Sequence, residues 1–226
     1  MISRFYSFLA FLALAGLFAA CSTQEQATSP DVVQPDFSDM EALYWARIDS
    51  SRMNFSEADV SFMNDMIAHH AQALIMSRLA PDNGASRSVQ VLAARIINAQ
   101  EGEIRLMQKW LRDRGEPVPE VHIDGLNLMI HGPGGHHGMH HHHDMPGMLT
   151  QDQLEQLAAA KNREFDRLFL QFMIEHHEGA VTMVLDLFDT DGAAQDEEIF
   201  RLAADIHAEQ VTEIDRMNLM LDQMNS

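Results

Sequence analysis

Apolar positions recur at helical spacing along most of the chain, and the pattern is sharpest in a fifteen-residue stretch that occurs twice. The first copy is Phe62–Met76, FMNDMIAHHAQALIM, and the second is Phe169–Met183, FLQFMIEHHEGAVTM. The copies agree at Phe62/Phe169, Met66/Met173, Ile67/Ile174, His69/His176, His70/His177, Ala73/Ala180 and Met76/Met183. A repeat of this kind predicts two copies of one supersecondary unit. At about 100° per residue, Phe62, Met66, His69, Ala73 and Met76 fall within roughly 80° of arc. Met63, Ile67 and Leu74 widen the apolar sector beside His70, and Leu170, Ile174 and Val181 do the same in the second copy. Each helix therefore carries a His pair inside its apolar sector, where an imidazole needs a hydrogen-bond or metal partner.

A second signature follows each copy. Gln100-x-x-Glu103-Ile104-x-x-Met107 is echoed by Gln210-x-x-Glu213-Ile214-x-x-Met217. Gln100 shares a helix face with Ile96, Ile104, Met107 and Trp110, with Glu103 at its edge. Each repeat thus reads as a helical hairpin, one arm bearing His-His and Met, the other Gln and Glu. Two amphipathic hairpins predict an all-α, four-helix arrangement. Ser56 with Asp59 forms a capping box for a helix ending near Ala80, before Pro81-Asp82-Asn83-Gly84. The second helix should run over about 86–114, and Gly102 inside it suggests a close helix–helix contact. Thr150 with Gln153 caps a short helix to about Ala160; the third and fourth main helices span about 163–188 and 194–223. A short helix over 37–50, with Tyr44 and Trp45, is expected to dock on the helices.

The paired M-I-x-H-H-x-x-A-x-x-M and Q-x-x-E-I-x-x-M signatures resemble the bacterial family called domain of unknown function 305. The resemblance covers nearly all of Met53–Met224, including Phe165–Leu170 before the second His pair. It implies a ferritin-like four-helix bundle, and some family members are extracytoplasmic copper-binding proteins linked to copper tolerance.

Composition narrows the chemistry. The 226 residues fit one domain, a signal and a loop, with divisions at 1–20, 21–36, 37–114, 115–149 and 150–226. Sixteen Met and thirteen His stand against only two Trp and two Tyr. A net charge of −19 disfavours nucleic acid and anionic lipid headgroups. The single Cys excludes an internal disulfide and a zinc site built on several thiolates. Residues 1–20 read as an export signal, with Arg4 followed by the apolar run Phe8–Ala20, too short to span a bilayer comfortably. Cys21 follows Ala19-Ala20 as in a bacterial lipobox, although Phe18 stands where Leu is usual. A lipid on Cys21 would anchor the protein at the periplasmic face of the outer membrane or at the cell surface. Residues 22–35, rich in Ser, Thr, Gln and Pro, read as a flexible tether.

Between the hairpins lies a Gly- and Pro-rich segment, 115–149, which reads as a non-core loop. Its centre holds His131, His136, His137, Met139, His140, His141, His142, His143, Met145 and Met148, a metal-collecting composition. Thioether ligands select Cu(I) and, by extension, Ag(I), whereas imidazole suits Cu, Zn, Ni and Fe. Candidate ligands in the helices are His69, His70, Met66 and Met76, with His176, His177, Met173 and Met183. Met66 lies three residues from His69 and four from His70, so either pairing can present sulfur and nitrogen to one ion; Met173 repeats this. Glu103 and Glu213, or Gln100 and Gln210, could accept the second ring N–H of a metal-bound His. His207, opposite Ile97 in the repeat, is an additional candidate ligand.

The leading functional expectation is a non-catalytic, exported lipoprotein that binds or sequesters copper or silver, with zinc also compatible. Passing the metal on would need an exchange partner. A ferritin-like di-metal oxidoreductase needs Glu-x-x-His pairs, and the chain has neither Glu-x-x-His nor Asp-x-x-His. The third reading is an interaction module whose His pairs form a buried polar network that fixes helix register.

Overall fold

The computed structural model describes residues 37–132 and 145–225. The signal, the tether with Cys21, and His136, His137, Met139, His140, His141, His142 and His143 lie outside the described residues. Within them the chain is mostly helical. The elements are α1 (Phe37–Arg52), α2 (Glu57–Arg78), α3 (Arg87–Asp113), β1 (Glu120–Asp124), β2 (Asn127–His131), α4 (Gln151–Ala159), α5 (Asn162–Asp189) and α6 (Glu197–Asn225). No described helix is long and apolar enough to cross a membrane.

The helix starts follow the capping chemistry. The Ser56 hydroxyl accepts from Asp59 N–H, while the Asp59 carboxylate accepts from Ser56 N–H at 2.8 Å. Thr150 and Gln153 form the same box at α4. Asp196 caps α6 by accepting from the N–H groups of Glu198 and Ile199. Its carboxylate also takes the buried Arg114 guanidinium and the Trp110 indole N–H, which ties the end of α3 to the start of α6.

α2 packs along α3, α5 packs along α6, and the two hairpins meet chiefly where α2 lies against α5. The buried core falls into two clusters. One joins the second half of α2 (Ala73, Ile75, Met76) to the first half of α5 (Phe165, Phe169, Met173). The other joins the first half of α2 (Phe62, Met63, Met66) to the second half of α5 (Ala180, Val184, Leu187). α2 and α5 are therefore antiparallel, and the His pairs lie between the clusters. Each fully buried Phe or Met here stabilises the fold by about 1.5–3 kcal/mol.

Three expectations change. First, the 115–149 segment is not all loop. Glu120–Asp124 pairs antiparallel with Asn127–His131 through a two-residue turn, where Gly125 has φ +58°. The inward residues Ile123 and Leu128 pack on the core, and Leu149 is fully buried in it. The first run alternates in period two, but the second carries the unbroken apolar triplet Leu128-Met129-Ile130, and at five residues each they are easily lost inside a Gly- and Pro-rich stretch. Second, α1 does not dock through its apolar residues: Phe37, Met40, Leu43, Tyr44 and Trp45 are all exposed. Its last residue, Arg52, approaches Glu198 at 3.9 Å. Third, Gly102 serves no close helix contact. A Cβ there would meet only the Arg105 guanidinium, at 3.9 Å. Gly102→Ala should therefore stabilise the protein by up to about 1 kcal/mol, read as a rise in the urea midpoint at unchanged m-value.

Candidate metal centre

Four histidines form a layer across the middle of the α2–α5 interface. His69, His70, His176 and His177 are each fully buried. The rings of His69 and His176 touch, with centroids 3.9 Å apart and planes at 39°. The helical period that makes the apolar stripe brings the two pairs face to face, because the helices run antiparallel.

The flanking helices supply one carboxylate to each pair. His70 Nε2 lies 2.8 Å from Glu103 Oε2, and His177 Nε2 lies 2.7 Å from Glu213 Oε2. A carboxylate oxygen accepts, so each ring donates its Nε2–H and turns the Nδ1 lone pair away. Both Nδ1 atoms are buried without a hydrogen-bond partner. Gln100 and Gln210 do not join these pairs: both are buried, and neither side-chain oxygen has a partner. A cleft of about 660 Å³ lined by Arg95, Asn98, Glu209, Thr212 and Glu213 opens the α3–α6 side to solvent and reaches the carboxylate that holds His177.

On the other side the two copies differ. His69 donates its Nε2–H to the Pro146 carbonyl at 3.0 Å, leaving Nδ1 unpartnered. Neither ring nitrogen of His176 has a hydrogen-bond partner. Pro146 belongs to a strap, 145–149, laid across α2 and α5. The Gln72 side-chain amide grips the strap twice, donating to the Leu149 carbonyl at 3.0 Å and accepting from Leu149 N–H at 2.7 Å. Gly147, at φ +75°, sits on the α5 backbone, where an added Cβ would come within 2.9 Å of Gly179 Cα. In the repeat, Gln72 and Gly179 occupy equivalent positions. One copy reaches for the strap and the other makes room for it.

Burial lowers the proton affinity of His69, His176 and His177. It pushes the His69 imidazole down to about 3, with the His70 charge acting in the same direction and the Pro146 carbonyl opposing. His176 is held well below its ordinary value by burial and then by the His69 and His177 charges. Burial also lowers His177, against the raising effect of Glu213. The three are neutral at pH 7, as metal ligation requires. The sign for the metal-free protein follows. Below about pH 6.5 the unfolded chain binds more protons at these sites than the folded chain does. Stability is full above that value and falls as pH drops from about 6.5 towards 3, which thermal melts of metal-free protein at pH 7.5, 6.0 and 5.0 would register as a stepwise fall.

Among the described residues, no group of three or more His, Cys, Asp or Glu side chains is arranged to hold a metal ion. A donor set at the layer would thus need the thioethers as well. Met66, Met76 and Met173 are fully buried and Met183 is half-buried. Met76 and Met173 share one core cluster, and Met66 and Met183 border the other, so sulfur flanks the imidazole layer on both sides. The unpartnered ring nitrogens and adjacent sulfur fit a soft cation. Of the other candidates, Met145 and Met148 lie half-buried in the strap, His131 is exposed at the end of β2, and His207 is half-buried on α6. The residues missed from sequence are Gln72, Pro146, Gly147 and Gly179.

No curated protein matches the chain. Solved structures do. A crystal structure of a DUF305 fragment from Deinococcus radiodurans shares 30% identity at TM-score 0.60, covering 75% of this chain and 98% of that one. A DUF305 protein from Streptomyces coelicolor shares 28% at TM-score 0.60, with 75% and 94% covered. CopM in its Cu(II)-bound form shares 32% at TM-score 0.56, with 73% and 96% covered, and CopM is also solved in Cu(I)-bound and Ag-bound forms. The sequence profile described as "Domain of unknown function (DUF305)" matches residues 59–221. That span runs from the first turn of α2 to the last turns of α6 and takes in both His pairs and both carboxylates, so the chain belongs to the DUF305 family.

Proposed function

We propose that this protein is an exported, lipid-anchored carrier that holds copper or silver ions as cargo, outside the cytoplasm, and so contributes to metal tolerance or handling. The observation that carries the reading is the layer of four buried imidazoles with five ring nitrogens lacking any hydrogen-bond partner. Left without a ligand, each such buried group costs about 1–3 kcal/mol. A soft cation would satisfy several at once, and Glu103 and Glu213 would orient His70 and His177 towards it. The ligands would be His69, His70, His176 and His177 with Met66, Met76, Met173 and Met183, inside a ferritin-like four-helix bundle. The His- and Met-rich segment around 131–148 would collect metal beside it. The signal at 1–20 and the lipobox at Cys21 support export and anchoring. Solved CopM, bound to Cu(II), Cu(I) and Ag, supports the choice of metal. The reading is non-catalytic: neither the family description nor these solved neighbours are those of an enzyme.

The test is a competitive Cu(I) titration of residues 22–226, of a variant lacking 133–144, and of that variant with His69→Ala and His176→Ala. The deletion ends at 144 to spare the strap that His69 holds. Tight binding should survive the deletion and vanish with the His changes, while circular dichroism confirms the helices. Loss of all tight binding on deletion alone would move the function to the loop and leave the His layer structural.

A further inference from the structure

We infer that the outward face of the β1–β2 hairpin is a second, surface site for a soft monovalent cation, Cu(I) or Ag(I), built from the two imidazoles of His122 and His131 and the thioether of Met129. The strand register carries the inference. His122 stands directly opposite Met129, and Glu120 directly opposite His131. Side chains alternate across a strand, so these four lie on one face, and Val121, Ile123, Leu128 and Ile130 lie on the other. Of the second set, Ile123 and Leu128 pack on the core, and the hairpin rests on α2. The first set therefore faces away from the helices. Glu120, His122 and His131 are exposed and Met129 is half-buried.

Directly opposed residues have Cβ atoms about 4.5–5.5 Å apart, and diagonal ones about 7–8 Å. Imidazole nitrogen and thioether sulfur lie two or three bonds beyond Cβ, so one ion can span the opposed His122–Met129 pair and the diagonal His131. The two imidazoles are exposed and free to turn between staggered rotamers, while the ladder fixes where they start. The Met129 thioether, on the outward side of the ladder, belongs to neither core cluster. Next to two imidazoles, it completes the mixed nitrogen and sulfur set that selects Cu(I) and Ag(I) over harder cations. The site stands apart from the buried layer and uses none of its residues.

The experiment titrates the full chain, labelled with 13C at the methionine methyls, with Ag(I), and follows each methyl by NMR. Met129→Leu assigns the Met129 signal, and His122→Asn and His131→Asn are the test variants. All three positions face solvent on the hairpin, so the fold is expected to persist. The Met129 methyl should shift with Ag(I) in the parent, and half-saturation should need at least tenfold more Ag(I) in either His variant. The Met66 and Met173 signals should respond alike in all three proteins. A Met129 signal that ignores Ag(I), or shifts equally in the His variants, overturns the hairpin site. Unresponsive Met66 and Met173 signals would count against the buried centre instead and leave the hairpin result standing.

Discussion

Glu103→Ala and Glu213→Ala are each expected to lower copper affinity about 10–100-fold, the usual cost of removing the acceptor behind a ligating imidazole. The two carboxylates hold different rings, His70 and His177, at nearly equal distances. Their effects should add if the two rings serve separate ions, and fall short of additivity if they share one. The metal-free protein should suffer as well. Each change strands a buried ring N–H, at about 1–3 kcal/mol, read from urea unfolding without metal. Glu→Gln at the same positions keeps an acceptor oxygen and removes the charge. It should recover most of the stability but only part of the affinity. A stability loss with unchanged affinity would make both carboxylates structural. Cu(I) competition beside unfolding curves separates these outcomes.

Gly179→Ala should destabilise by about 1–3 kcal/mol or more, the range for forcing extra volume into a packed interior. Its Cβ would lie 2.0 Å from the Pro146 oxygen, 2.4 Å from the Pro146 carbonyl carbon and 2.7 Å from Gly147 Cα. All three are backbone atoms, and no side chain can swing away to relieve the clash. The strap must lift, and His69 then loses its acceptor. Limited proteolysis should cut the variant near 145–149 at protease levels that leave the parent intact. Gly102→Ala provides the contrast: the same added methyl, also inside a long helix, meets only the Arg105 guanidinium at ordinary contact distance and should stabilise. If both substitutions behave alike, the strap contact is not what holds Gly179.

The helices were legible because their signals are long and redundant. The His pairs sit in stripes of period 3.6, the capping boxes at Ser56 and Thr150 mark two starts, and the second signature repeats the hairpin. The partnership of Glu103 with His70 and of Glu213 with His177 could be named as one candidate, since each carboxylate stands three residues after its Gln in the repeated second signature, although the spacing from the His pair is 33 residues in one unit and 36 in the other. It could not be separated from Gln100 and Gln210 on spacing alone, because one helical turn puts both on nearby faces. The strap was hidden for a different reason. It joins Pro146 to His69, seventy-seven residues away, and no local periodicity encodes such a contact. One trace of it was visible. At the position where the first copy has Gln72, the second has Gly179, a residue that weakens a helix interior unless something must approach closely. The hairpin was missed because its two five-residue strands sit in a stretch whose Gly, Pro and His content reads as loop.

The antiparallel meeting of α2 and α5 also says something about descent. One hairpin carries one His pair, one carboxylate and half of the wall around the layer, and it leaves an apolar face open. An ancestor encoding a single such hairpin could close that face only against a second copy of itself, as a two-fold dimer in which both subunits share the centre. Fusing two copies in one gene would remove the concentration dependence of assembly. It would also free the halves to diverge, as they have at Gln72 and Gly179, where a single strap now crosses what would once have been equivalent surfaces.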